Sequence, residues 1–146
     1  MCERFADHGI SGDRLILHGW GSLNEYLALH NEVDLILDPT PWNGHTNTCH
    51  ALWMGVPTLT LDGDRFYGRF GRVIMQAVGC EDFICADEAA FVDQARKLAT
   101  EQERCRLLRP ELRQTLLDSP LCDEEGLTRA IENAFLEILE QHGNPE

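Results

Sequence analysis

Val33-Asp-Leu-Ile-Leu-Asp-Pro-Thr-Pro-Trp-Asn-Gly-His-Thr-Asn-Thr-Cys-His-Ala-Leu-Trp-Met-Gly-Val-Pro-Thr-Leu-Thr-Leu61 holds two short apolar runs separated by a loop and a helical stretch. The first run, 33–38, reads as a strand stopped by Pro39 and Pro41, neither of which can donate to a sheet ladder. Residues 42–46 read as a loop, and 47–54 as a helix closed by Gly55. The second run, 57–61, is again a strand. Two strands joined through a helix pair in parallel, so this stretch alone predicts an α/β fold.

Working outward, Arg14-Leu-Ile-Leu-His18 reads as a further buried strand, and Ser22-Leu-Asn-Glu25 has capping-box spacing that predicts a helix from Leu23 to about Asn31. On the other side, 65–78 reads as a helix ended by Gly79, and 82–85 as a short fourth strand. Asp87 is a candidate N-cap for a helix to about Leu98, and a second helix is expected around 101–108, with the possibility of resuming after Pro110. A third is marked by Leu127, Ala130, Ile131, Ala134, Phe135, Ile138 and Leu139, which follow the helical period without a miss. Asp123, Glu124 and Glu125 suit its amino-terminal dipole, and the stripe reads as core or interface. The expected organisation is a Rossmann-like parallel sheet over residues 1–100 with a helical tail, 101–146, packed on it.

The chain has 146 residues, 43% of them apolar, enough for one domain with a core. No apolar run reaches the ~20 residues that span a bilayer, and Met1 to Phe5 has no leader-like character, so a cytoplasmic protein is expected. Six cysteines without a CxxC pair read as reduced thiols, mostly buried, rather than as a disulfide framework or zinc site. The net charge of −13 divides into −4 over residues 1–80 and −9 over 81–146. Such a surface repels phosphate backbones, which argues against nucleic acid as a partner.

Ligands of parallel sheets bind beyond the carboxyl ends of the strands, at helix amino-termini. After Asp38 the sequence supplies a double-proline turn, a glycine that lets backbone approach a ligand, and then His45, Thr46, Asn47 and Thr48 at a helix start. Free amides, hydroxyls and the helix dipole make a site for a diphosphate without a basic patch. The alternative is that Thr46 or Asn47 only caps a helix and that His45 is a solvated loop residue. Arg65, Arg69 and Arg72 share one helix face, where Arg69 either leans toward the ligand loop or pairs, with its neighbours, to Asp62, Asp64 or Glu81. Trp42 either walls a ligand or packs, Trp53 is expected in the core, and His18 sits at a strand end where it either lines a pocket or packs.

The segment 33–61 resembles the diphosphate-binding stretch of the O-GlcNAc transferase family, plant SPINDLY relatives included. It shares an aspartate-bearing strand end, Asn43-Gly44-His45-Thr46, Leu52-Trp53 and the Gly55-Val-Pro57 turn. The resemblance continues through His18-Gly-Trp20, Asp62 to Arg69 and Val78-Gly-Cys80, covering roughly residues 5–100. It implies part of the second Rossmann-like domain of a GT-B glycosyltransferase, binding a nucleotide-sugar (UDP-GlcNAc or another UDP- or GDP-sugar) for transfer to a protein acceptor. No metal or separate cofactor is expected. Carried over by position, Asn43, Gly44, His45, Thr46, Asn47, His50 and Arg69 are the donor-binding candidates, with no catalytic residue assignable. Asn47 stands where the family has a second threonine, and His50 where it has a nucleotide-contacting aspartate. The family's Gln-x-x-Lys lysine has no counterpart in this chain, whose single lysine, Lys97, falls on a late helix, and no acceptor-binding domain is recognised. The alternative is therefore a non-catalytic nucleotide-sugar-binding or assembly module. Topology leaves two arrangements open: strand 15–18 closes onto 34–37 in a rewired four-stranded sheet, or an upstream domain or second copy of the chain completes it.

Overall fold

A computed structural model describes residues 2–142. Seven helices and three strands occur among them: α1 (Cys2–Ala6), α2 (Leu23–Leu29), β1 (Ile36–Asp38), α3 (Thr46–Trp53), β2 (Thr58–Leu61), α4 (Phe70–Ala77), β3 (Ile84–Cys85), α5 (Glu88–Thr100), α6 (Gln102–Leu117) and α7 (Glu124–His142). The sheet is parallel with order β1-β2-β3. β2, in the middle, is buried on both faces. Its Leu59 and Leu61 join Leu52, Ile74, Met75, Phe83 and Leu98 in the core, while Thr58 and Thr60 turn to the opposite face.

α3, α4 and α5 pack on β2, and α6 backs α3 and α5. Several elements form where local chemistry predicts them. Ser22 caps α2 in a complete capping box, its amide donating to Glu25 Oε2 at 2.7 Å and its hydroxyl accepting from the Glu25 amide at 3.3 Å. Asp87 caps α5 through the Ala90 amide at 2.8 Å. α3 ends at Gly55, whose φ of +76° suits glycine. A Cβ there would also lie 2.5 Å from the Arg109 carbonyl oxygen, so α6 rests directly on that turn.

Five sequence expectations are corrected. Residues 14–18 form no strand: a three-residue 3-10 turn ends at Arg14, and Ile16 and Leu17 are 76% and 63% exposed. An apolar run becomes a strand only when a neighbouring strand takes its backbone groups, and among the described residues β1 pairs with β2 alone. The rewired four-stranded sheet is thereby overturned. The helix expected over 65–78 begins as a 3-10 turn, Phe66–Gly68, and becomes α-helical at Phe70. A tight loop holds that entry, with the Gly63 amide donating to the Gly68 carbonyl at 2.8 Å. α6 runs unbroken through Pro110. Trp53 is not core: it is 39% exposed, with the Arg113 guanidinium 4.3 Å above its ring.

The tail divides in two. α6 buries Cys105, Leu112 and Leu116, and its Arg109 donates to the carbonyls of His30 and Val33, clamping the approach to β1. α7 follows the periodic stripe but buries none of its side chains, with Leu127, Phe135 and Leu139 each 63% exposed. All six cysteines are free; Cys85 and Cys105 are buried, Cys49 and Cys80 half-buried, and Cys2 and Cys122 exposed. Burial pushes the thiols of Cys49, Cys80, Cys85 and Cys105 above their ordinary pKa. No helix among the described residues is long and apolar enough to cross a membrane.

Candidate functional site

The site is built from the last residue of β1. Asp38 pairs in register with Thr60 of β2, which puts both side chains on one face of the sheet. The Thr60 hydroxyl donates to Asp38 Oδ2 at 2.8 Å, and the Gly44 amide donates to Asp38 Oδ1 at 2.6 Å. Burial raises the Asp38 carboxyl above the usual range, opposed by these two hydrogen bonds. The carboxylate thus spans from the sheet to the loop that enters α3.

The loop is anchored on both sides of that contact. Asn43 is 1% exposed; its amide donates to the Tyr67 carbonyl at 3.0 Å and its side-chain nitrogen to the Leu61 carbonyl at 3.3 Å. Trp42, 69% exposed, stacks on Tyr67 at 4.9 Å, and the His45 ring lies 4.8 Å from Phe70. At Gly44 a Cβ would lie 2.8 Å from Thr48 Oγ1, so glycine lets the loop settle onto the first turn of α3 without displacing that side chain.

α3 begins at Thr46 with His45 as its N-cap, and no side chain caps it. The first backbone bond across this end runs from the Cys49 amide to the His45 carbonyl. The amides of Thr46, Asn47 and Thr48 precede it and are left as donors at the positive end of the helix dipole. These residues line a cleft of 590 Å³ together with Tyr26, His30, residues 36–38 and residues 42–45. The Tyr26 hydroxyl, on α2, donates to Asn47 Oδ1 at 3.3 Å and so closes one wall. Uncapped amides, the Thr46 hydroxyl and the imidazole of His45 at the mouth of a polar cleft can hold an anion.

Five of the seven sequence-proposed residues, Asn43, Gly44, His45, Thr46 and Asn47, line this cleft. Asn43 is there as a buried anchor, not a surface contact. His50, one turn along α3, lies outside the lining; its ring sits 5.6 Å from Tyr26 and its Nδ1 is buried with no partner. Arg69 donates to the Gly63 carbonyl at 2.9 Å, and Arg72 pairs with Asp62 at 3.1 Å. His18 lines a separate cleft with Trp20, Leu23 and Tyr26. Sequence reasoning missed Tyr26 and Thr60 and gave Asp38 no task. The signals present were an acid ending an apolar run and a Thr-Leu-Thr-Leu alternation, and neither names its partner.

Residues 1–131 match the sequence profile described as glycosyl transferase family 41. The chain is 33% identical over 112 residues to a probable UDP-N-acetylglucosamine–peptide N-acetylglucosaminyltransferase, SPINDLY, of Solanum lycopersicum, a match covering 77% of this chain and 12% of that protein. It is 27% identical over 138 residues to the SEC transferase of Arabidopsis thaliana, covering 94% of this chain and 14% of the relative. A solved structure of a mutant O-GlcNAc transferase from Thermobaculum terrenum superposes with a TM-score of 0.83 at 29% identity, covering 92% of this chain and 26% of that one. The chain therefore spans about an eighth of the curated relatives it matches and a quarter of the solved one. Its α/β unit is part of a GT-B-type fold.

Proposed function

The chain belongs to glycosyl transferase family 41, and we propose that its part in that family's chemistry is to hold the diphosphate of a nucleotide-sugar donor at the start of α3. The single observation that carries the reading is the uncapped first turn, whose residues Thr46, Asn47 and Thr48 line a cleft walled by Tyr26 and His45. In glycosyl transfer, charge grows on the departing diphosphate, and donors fixed in advance stabilise it without having to reorient. The amides and the Thr46 hydroxyl supply such donors, and His45 a further polar group. No residue of the chain is assigned as nucleophile or base. A UDP-sugar, UDP-GlcNAc first, is the donor supported by the names of the relatives, and a protein side chain is the acceptor. The charge of the diphosphate is met by amides and hydroxyls, with no metal assigned to the site, and the protein works in the cytoplasm.

Titration of isotope-labelled protein with UDP tests the site. The amide resonances of Thr46, Asn47 and Thr48 are expected to move together at millimolar UDP, with those of α7 unmoved. Stationary first-turn amides would overturn the proposal. GDP in parallel reports the preferred base. His50 stands where the resembled family has an aspartate; its buried, partnerless Nδ1 supports reading it as an altered nucleotide contact. Restoring the acid, His50→Asp, is expected to tighten UDP binding several-fold, a gain of about 1 kcal/mol.

The open edge of β1 and the bare stripe of α7 support the expectation of a second copy of the chain as partner. Sedimentation at micromolar concentration decides this: a species of 16.5 kDa alone would remove the homodimer.

A further inference from the structure

Asp38 is 8% exposed, and its two oxygens are taken by a backbone amide and a hydroxyl rather than by a cation. Burying a carboxylate without a counter-charge is costly, so an apolar residue or an asparagine would suit a strand end better if stability alone were served. The packing around it is also unusually close. A Cβ on Gly71, in the first turn of α4, would lie 2.0 Å from Thr60 Oγ1 and 2.6 Å from Asp38 Oδ2. A Cβ on Gly44 would lie 3.5 Å from Asp38 Oδ1 and 2.8 Å from Thr48 Oγ1. Two glycines on different elements thus leave space for one carboxylate and for the loop it holds.

We propose that Asp38 is a positioning residue for the anion site: it holds the Gly44 amide, and so fixes Asn43 to His45 such that the next three amides, not that of Gly44, face the ligand. The inference rests on reading the start of α3 as the donor-diphosphate site. The geometry follows from the two contacts. The carboxylate draws Gly44 back toward β2, the loop pivots on Asn43 between Tyr67 and Leu61, and α3 starts at Thr46 with its first amides turned outward. An anion set directly in front of Gly44 would meet the Asp38 carboxylate, which repels it. Placed two to four residues further on, at the amides of Thr46, Asn47 and Thr48, it meets donors alone. Asp38 thereby selects which amides of the loop a ligand uses.

Two substitutions separate positioning from charge. In Asp38→Asn the remaining carbonyl oxygen still accepts from Gly44, and the new amide donates to Thr60 Oγ1, so the tie survives without the charge. In Asp38→Ala both contacts are lost. UDP and inorganic pyrophosphate are the probes, titrated into the full chain with thermal melts as a folding control. Asp38→Ala is expected to bind both roughly tenfold more weakly. Asp38→Asn is expected to bind as tightly as the parent or a few-fold more tightly. The Gly44 amide proton, deshielded by its short bond to the carboxylate, should move upfield in the alanine variant and hold near its place in the asparagine variant. Should Asp38→Ala fail to fold, Gly71→Ala stands in for it: it pushes the carboxylate from the side of α4 and should weaken binding in the same way. Parental affinity in a folded Asp38→Ala, or equal losses in the Asn and Ala variants, would overturn this inference and leave the anion site standing. A parent that binds neither probe would overturn the site reading itself.

Discussion

α3 and α7 invert what their sequences suggest. α7 has 19 residues and a perfect apolar stripe, and buries none of its side chains. α3 has eight residues with polar groups on most of its faces, yet it buries Thr48, Ala51 and Leu52 and carries the candidate site. The difference lies in what each helix meets. α3 is caught between β2, α4 and α6, so three elements share its short length. A helical period shows that a stripe exists, and only tertiary neighbours decide whether it is covered.

The comparison is broken most directly by matched deletions. Leu52→Ala, at a position 0% exposed, should cost about 3 kcal/mol in urea unfolding, within the usual span for a leucine cavity. Ile131→Ala in α7, 47% exposed, should change stability by no more than a few tenths of a kcal/mol, since the better helix propensity of alanine offsets the little packing lost. Comparable losses would mean that the α7 stripe is covered in solution, and the loss in Ile131→Ala would then depend on protein concentration.

Gly55→Ala sharpens the α3 side. It places a Cβ at positive φ and against the Arg109 carbonyl, and should cost about 2 kcal/mol, read as a lowered urea midpoint with unchanged slope. A neutral result would show that α6 can lift off the turn, which would make the packing of α3 as loose as that of α7.

α2 sits between the two extremes, with a full capping box and no buried residue before His30, which follows its end. Ser22→Ala should cost about 1 kcal/mol if α2 is folded as part of the domain. A much smaller change, measured by the same unfolding assay, would group α2 with α7 as a helix the core does not hold.

The smallest effect expected around α3 is at its surface against α6. A double-mutant cycle on Trp53 and Arg113 should give a coupling of about 0.5 kcal/mol, as for an exposed cation–π pair. Zero coupling would confine the hold on α3 to its buried face.

The sequence was readable where a signal was local. Pro39 ends β1 and Gly55 closes α3 ahead of β2, Ser22 and Asp87 cap the helices they precede, and Asn43 to Asn47 falls at the cleft. It was unreadable where the outcome depends on a neighbour. Leu15 to His18 has strand chemistry but no strand beside it. The contact of Asp38 with Thr60 exists because of a sheet register, and the closeness of Gly71 because of how α4 lies on that sheet. Trp53 looked like core because it is large and apolar, but its place on α3 turns it toward Arg113. In each case the missing information was the identity of the facing element, which no spacing encodes.

β2 is flanked by a strand on both sides and covered on both faces. Its amides should therefore exchange with solvent only when the whole domain opens, and set the slowest protection class in the chain. The mooring of the Asn43–Thr48 loop, through Thr60 and the Leu61 carbonyl, is on that same strand. Local openings of α2 or α7 can thus come and go on a fast timescale without releasing the loop, which loses its shape only in the rare event that unfolds everything.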